Sequence, residues 1–428
     1  MEHKTHIANR WLIAAAGVAV HICMGTVYAW SYFQNDLTEI FKCGHSPVAW
    51  VFSLTILCTS IAAAIGGAIM SKTGPRRLAM SGGILFALGY LLAGMALRIQ
   101  SLMLLYLGYG IVGGTGLGLC YVTPVATVAK WFPDMKGLVT GMVVAGFGFG
   151  ALLMSKVLAP VLAHMAGGNL EVVFESLGVI FCLIVLPAAW TLKNPPEGCF
   201  RANPDLPVPK AAGTGDFARA IFSRKFALMW LVLFCNITTG IMFIGFQSPM
   251  LQDILKAAKS GLTAAQLASH GATLIAASSL FNAMGRLFWG ALSDRFDRAG
   301  TFRILLGTQI IAFELLLIMG DRINPFVFSG LVCYILLCFG GGFGVMPSLV
   351  TDAFGLGLMS KAYGAVLTAW GLAGVIGPQI VALIRDRAAG TMAYFYSFSA
   401  GTAILITGFL AALMLGNSRP AQPANEKR

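Results

Sequence analysis

Apolar residues recur along this 428-residue chain in runs of roughly twenty, separated by short polar connectors. Wound as α-helix at about 1.5 Å per residue, a run of that length crosses the roughly 30 Å hydrocarbon core of a bilayer. Twelve such runs predict twelve helices, at 11–33, 47–71, 78–98, 101–128, 137–161, 171–193, 226–250, 264–292, 301–320, 325–350, 361–384 and 391–416. Gly and Pro are frequent inside them, which membrane helices tolerate because neighbouring helices re-satisfy the freed backbone groups. The longest polar interval, 194–225, carries Pro195, Pro196, Pro204, Pro207 and Pro209 and separates six runs from six. The expected organisation is an N-terminal six-helix bundle over 1–193, a cytoplasmic linker over 194–225 and a C-terminal six-helix bundle over 226–428.

Composition sharpens this. Hydrophobic residues make up 57% of the chain and charged ones 11%, less than half the roughly 25% of a soluble protein. A water-soluble enzyme and a disordered scaffold are excluded, and the fold class is all-α, polytopic and membrane-embedded. The first run follows Lys4 and Arg10 as a signal sequence would. It continues to about Phe33 without a small-x-small cleavage site, so it is expected to remain as the first span. Nine cysteines are scattered without a C-x-x-C, which points to neither a disulfide framework nor a metal site. No cofactor is expected.

The net charge of +12 does not indicate a nucleic-acid partner, because the basic residues sit in short connectors and form no long tract. With both termini cytoplasmic, twenty of the 29 Lys and Arg residues fall on the inner side and eight on the outer side or at outer helix ends. That bias sets the orientation, in a bacterial inner (cell) membrane. The one remaining cation, Arg286, lies inside the eighth run.

The two halves share a connector. Residues 66–77 read Gly-Gly-Ala-Ile-Met-Ser-Lys-Thr-Gly-Pro-Arg-Arg, and residues 290–298 read Gly-Ala-Leu-Ser-Asp-Arg-Phe-Asp-Arg. Aligning Gly67 with Gly290 sets Ser71 on Asp294 and Lys72 on Arg295. Weak symmetry between halves is expected of transporters that rock about a midplane site.

Arg286 precedes Asp294 by eight residues, about 12 Å of helix from the cytoplasmic boundary. An arginine at such depth costs about 2.5–3.5 kcal/mol on translocon scales and cannot escape by deprotonation. It must face protein or water, and its planar fork matches a carboxylate bidentately. The counter-charge is either an organic anion or an acidic side chain, of which Glu314 is the clearest within the spans. Asn282 lies one turn earlier on the same face, placed to donate to a substrate or to a neighbouring helix. The reference pKa of histidine, about 6.5, makes His21 a candidate for proton coupling, with hydrogen-bonded packing as its alternative. Tyr28, Tyr121 and Tyr334 can each present a hydroxyl to a cavity or pack between helices.

Gly290, Asp294, Arg295 and Arg298 resemble the G-x-x-x-D-R-x-G-R loop signature of the major facilitator superfamily, and the first-half copy departs from it at Ser71 and Pro75. Gly25-Thr-Val-Tyr-Ala-Trp-Ser31, Lys130-Trp-Phe-Pro-Asp-Met-Lys-Gly137 and Asn282-Ala-Met-Gly-Arg-Leu-Phe-Trp-Gly290 are together similar to the oxalate/formate antiporter and monocarboxylate transporter branch. The resemblance implies twelve helices in two bundles around a central cavity, carrying a small organic anion, often with a proton. It also implies that Asp294 and Arg295 form conformational gating hardware on the cytoplasmic side. Oxalate-exchanging relatives carry a second embedded cation, a lysine, where Tyr363-Gly364 here leads to Trp370. One cation balances one negative charge, so a monocarboxylate such as lactate or pyruvate fits better. In several monocarboxylate transporters an aspartate stands where this chain has Asn282, so that particular proton relay is not expected.

The expected function is therefore secondary transport of small monocarboxylates by proton symport, with Arg286 as anchor and Asn282, Tyr28, Tyr121, Tyr334 and Trp370 beside the substrate. Carboxylate exchange and a non-transporting carboxylate sensor are the alternatives. Gly108-Tyr-Gly-Ile-Val-Gly113 fits a dinucleotide fingerprint in letters only, since no strand precedes it, and no Walker motif is present, so no nucleotide partner is expected. The glycine clusters at 113–118, 146–150 and 340–344 instead permit close helix approach. Asn236-Ile-Thr238 spells a glycosylation sequon at membrane depth, where it cannot act as one.

Overall fold

The computed structural model describes residues 9–132, 136–196, 214–258, 261–295, 297–388 and 391–416. Among these residues the protein is all helix. Twelve long helices follow one another: α1 (Arg10–Tyr32), α2 (His45–Met70), α3 (Pro75–Arg98), α4 (Leu102–Val128), α5 (Gly141–Met165), α6 (Leu170–Thr191), α7 (Arg224–Ala257), α8 (Ala264–Arg295), α9 (Arg298–Met319), α10 (Pro325–Phe354), α11 (Lys361–Arg387) and α12 (Met392–Met414). All but α8 are apolar enough as well as long enough to cross a bilayer. At 32 residues α8 is long enough too, but Ser278, Ser279, Asn282 and Arg286 lower its hydropathy. Short helices at Gln34–Ile40 and Thr214–Ile221 lie outside the spans.

Six of the long helices begin at a residue that caps them. Asn9, Ser101, Asn169, Ser223, Asp297 and Asn324 each accept a backbone N–H from the first turn that follows. These side chains satisfy donors that the helix leaves open, and they explain why these six helices start where they do.

By contacts the chain divides into two compact units, Met1–Tyr28 with Cys58–Val208, and Ala29–Leu57 with Pro209–Arg428. In the first, α3 packs along α4 and α6, and α1 lies against α5. The Gly108–Gly113 stretch belongs to a π-helical segment of α4, Tyr106–Gly113. A Cβ on Gly89 of α3 would come 2.5 Å from the Gly113 Cα. Backbone contact between helices is therefore the use of that glycine pair. In the second unit α8 packs along α10, and α7 contacts α10, α11 and α12.

Polarity is arranged inside out. Leu183, Leu287 and Ile318 point outward, whereas Asn236, Thr239, Ser278 and Gln309 are fully buried. Asn236 Nδ2 donates to Gln309 Oε1 (3.1 Å) and to the Cys338 carbonyl (3.3 Å), and Gln309 Nε2 reaches Thr239 Oγ1 (3.4 Å), tying α7, α9 and α10 together. Lipid-facing apolar side chains and inward polar ones are what a bilayer selects. The Asn236–Thr238 sequon is sealed within this network.

Candidate functional site

The second unit builds its site where α8 meets α10. A Cβ on Gly340 would run into the carbonyl of Asn282, and one on Gly344 into the carbonyl of Arg286. Two glycines of α10, one turn apart, thus let α8 approach at the two residues singled out for chemistry. Phe343, between them, puts its ring under the arginine, with the guanidinium carbon 5.2 Å from the ring centroid. Trp370 of α11 meets the same ring edge-to-face at 5.6 Å and is fully buried.

Arg286 is half-buried, and its Nη1 is closed off from solvent without a hydrogen-bond partner among the described residues. Among the described residues no carboxylate pairs with it, Glu314 included. Its guanidinium lies over the Phe343 face, a cation–π interaction that itself uses no N–H donor. Asn282 is buried, and its Oδ1 has no partner either. One helix face therefore carries a permanent cation and an amide, both with unused hydrogen-bonding capacity. Unmet polar groups cost most in such low-dielectric surroundings. An anion with acceptor oxygens supplies what the cluster lacks.

The first unit gathers three other sequence candidates. His21 is fully buried on α1, and its Nδ1 donates to the Gly17 carbonyl at 3.2 Å. That bond assigns the proton to Nδ1 and makes Nε2 the basic nitrogen of the neutral ring. The imidazole centroid lies 5.3 Å from Tyr121 of α4 and 6.4 Å from Phe147 of α5. Tyr28 and Tyr121 pack edge-on to Phe147, at 4.9 and 5.5 Å. Close approach again comes from glycine, since a Cβ on Gly150 would collide with the Ile22 carbonyl.

Tyr334 stands apart from these groups. Its hydroxyl donates to Thr308 Oγ1 of α9 at 2.6 Å, a helix-to-helix bond. Asp294 and Arg295 end α8, and their side chains lie outside the described residues. Phe343 and Phe147, the ring at the centre of each cluster, were not anticipated. Both sit inside glycine clusters, in Gly342-Phe343-Gly344 and Gly146-Phe147-Gly148. A large aromatic flanked by glycines where helices touch was the available signal.

Comparison with known proteins places this geometry in context. The family model of the Major Facilitator Superfamily matches residues 13–378. The oxalate:formate antiporter of Oxalobacter formigenes is 26% identical over 94% of this chain and 88% of its own length. Apicoplast pyruvate carrier 1 of Toxoplasma gondii is 29% identical over 85% of this chain and 82% of its own. Among solved structures, the inward-open xylose transporter XylE from E. coli superposes with a TM-score of 0.73 at 15% identity, covering 96% of this chain and 97% of that one. That likeness shows the fold.

Proposed function

The chain belongs to the Major Facilitator Superfamily, and from that premise we propose that it is a secondary active transporter of small monocarboxylates, of the lactate and pyruvate type, coupled to protons. One observation carries the proposal: Arg286 holds a guanidinium donor, its Nη1, closed off from solvent and with no acceptor among the described residues. A carboxylate takes up two parallel N–H donors of that fork. Phe343 against the guanidinium and Trp370 against Phe343 make the surroundings of the anchor apolar, which suits a short carbon chain. The names of the two relatives refer to oxalate, formate and pyruvate, all carboxylates.

A monoanion carried with one proton crosses as a neutral pair, so a pH gradient drives it and the membrane potential does not. His21 is the group to which we assign the proton, because it is the imidazole of the first unit's cluster, packed against Tyr121 and Phe147. Asn282 positions the carboxylate, while Asp294 and Arg295 gate the cytoplasmic end. The working division is the six-plus-six arrangement about 194–225, in a bacterial cell membrane with both termini inside, as the charge bias supports.

Anion exchange is the second assignment, favoured by the relative that is an antiporter. Uptake of labelled lactate, pyruvate, formate, acetate and oxalate into proteoliposomes separates the two. Symport predicts uphill lactate or pyruvate accumulation under an inward proton gradient alone. Exchange predicts uptake only when an internal carboxylate is present. Binding without movement under either condition contradicts both and leaves a sensor.

A further inference from the structure

The first turn of α3 and the chain just beyond α6 enclose an open cavity of about 320 Å³, and the charged residues lining it are Arg76, Arg77 and Lys193. Among the described residues no carboxylate lines it. The matching connector of the second half is balanced instead: Arg298 Nε pairs with Asp352 Oδ2 at 2.7 Å, and Asp297 caps α9 through the Gly300 N–H at 2.8 Å. In the first half Ser71 replaces the acid, and α3 opens at Gly74-Pro75 with no side-chain cap. The cavity thus faces two arginines, a lysine and the positive end of a 24-residue helix.

Its walls are braced. Trp131 Nε1 donates to the Lys193 carbonyl at 2.6 Å, and Lys130 Nζ donates to Asn194 Oδ1 at 3.0 Å, fixing residues 193–194 against the end of α4. Arg76 stacks its guanidinium carbon 4.5 Å over the Trp190 ring, and its Nε is closed off from solvent with no partner among the described residues. Trp190 is itself 58% exposed at the end of α6, as an aromatic anchor at a membrane interface is. Cations held together beside such an aromatic, with no counter-charge among the described lining residues, are complementary to an anion bearing several acceptor oxygens.

We propose that this cavity is a binding site for a phosphate group at the cytoplasmic face, built from Arg76, Arg77 and Lys193 and separate from the Arg286 cluster. Its position beside Trp190 favours the headgroup of an anionic phospholipid over soluble phosphate as the source.

The full chain is reconstituted with equal amounts of phosphatidylglycerol and phosphatidylcholine, released, and weighed with its bound lipid by native mass spectrometry. Wild type is expected to retain phosphatidylglycerol about tenfold over phosphatidylcholine. Arg76→Gln with Arg77→Gln loses that preference. Arg224→Gln with Lys225→Gln, which removes the same charge at the exposed start of α7, keeps it. In a parallel arm, inorganic phosphate is compared with chloride at matched ionic strength for a shift in the melting temperature of wild type. A shift without lipid preference assigns the site to soluble phosphate and upholds the phosphate chemistry. Absence of both effects in wild type overturns the proposal, whether or not the variants fold. An equal loss of lipid preference in the Arg224, Lys225 variant also overturns it, because bulk charge then explains retention.

Discussion

Asp386, near the end of α11, accepts the backbone N–H groups of His45 and Ser46 through its two carboxylate oxygens, at 2.6 and 2.9 Å, across 340 residues of sequence. Gly44, the residue before α2, has no side chain with which to cap it, and Asp386 takes that place. Ser46 Oγ also donates to Gln379 Oε1 at 2.8 Å, and the adjacent Arg385 holds Asp253 at 2.8 Å. The segment 29–57 is thereby fastened within the second unit. Replacing Asp386 by Ala should destabilise the protein by about 1 kcal/mol, the usual worth of a helix cap. Thermal unfolding of the purified protein measures it, and an unchanged melting temperature would show that solvent serves α2 equally well.

Gly344 gives α10 its approach to Arg286. A methyl group there must displace the Arg286 carbonyl, and overpacking of this kind costs about 1–3 kcal/mol. Gly344→Ala should lower both the melting temperature and the transport rate. Gly364→Ala on α11, which meets nothing within 4 Å, should change neither.

His21→Gln separates proton coupling from substrate binding. Glutamine keeps a donor for the Gly17 carbonyl but has no titratable nitrogen. The variant should exchange external for internal lactate at close to the wild-type rate and fail to accumulate lactate under a pH gradient. Accumulation equal to wild type would move the coupling proton to another group.

Much of this was legible in the chain. The bilayer forces every backbone polar group into helix, so long apolar runs leave little choice, and predicted and observed spans agree to within a few residues except at α7. There the helix runs on to Ala257, because polar residues after Met250 extend it past the apolar run that marks it in sequence. Arg286 was found because a charge at that depth has few explanations. Phe343 and Phe147 escaped because apolar residues in an apolar run carry no periodic signal; only three-dimensional packing makes them hubs. The Asp386 cap escaped for a different reason, since a contact spanning 340 residues has no local signature.

Trp370 tests the charge-counting argument. Its indole is fully buried and edge-on to Phe343, so Trp370→Lys would add a second cation next to the proposed anchor. The ratio of oxalate to lactate uptake should rise by roughly tenfold or more, the scale of one charge-assisted hydrogen bond. An unchanged ratio in folded protein would make Trp370 a packing residue alone.

The central claim is that Arg286 holds the substrate carboxylate. Saturable uptake of labelled lactate or pyruvate should be compared between wild type and Arg286→Gln in proteoliposomes, after size-exclusion profiles and melting temperatures establish that both are folded. Loss of a charge-assisted pair worth about 1.5–3 kcal/mol predicts a fall in uptake of roughly 10- to 100-fold at low substrate concentration. Uptake close to wild type in folded Arg286→Gln would contradict the account.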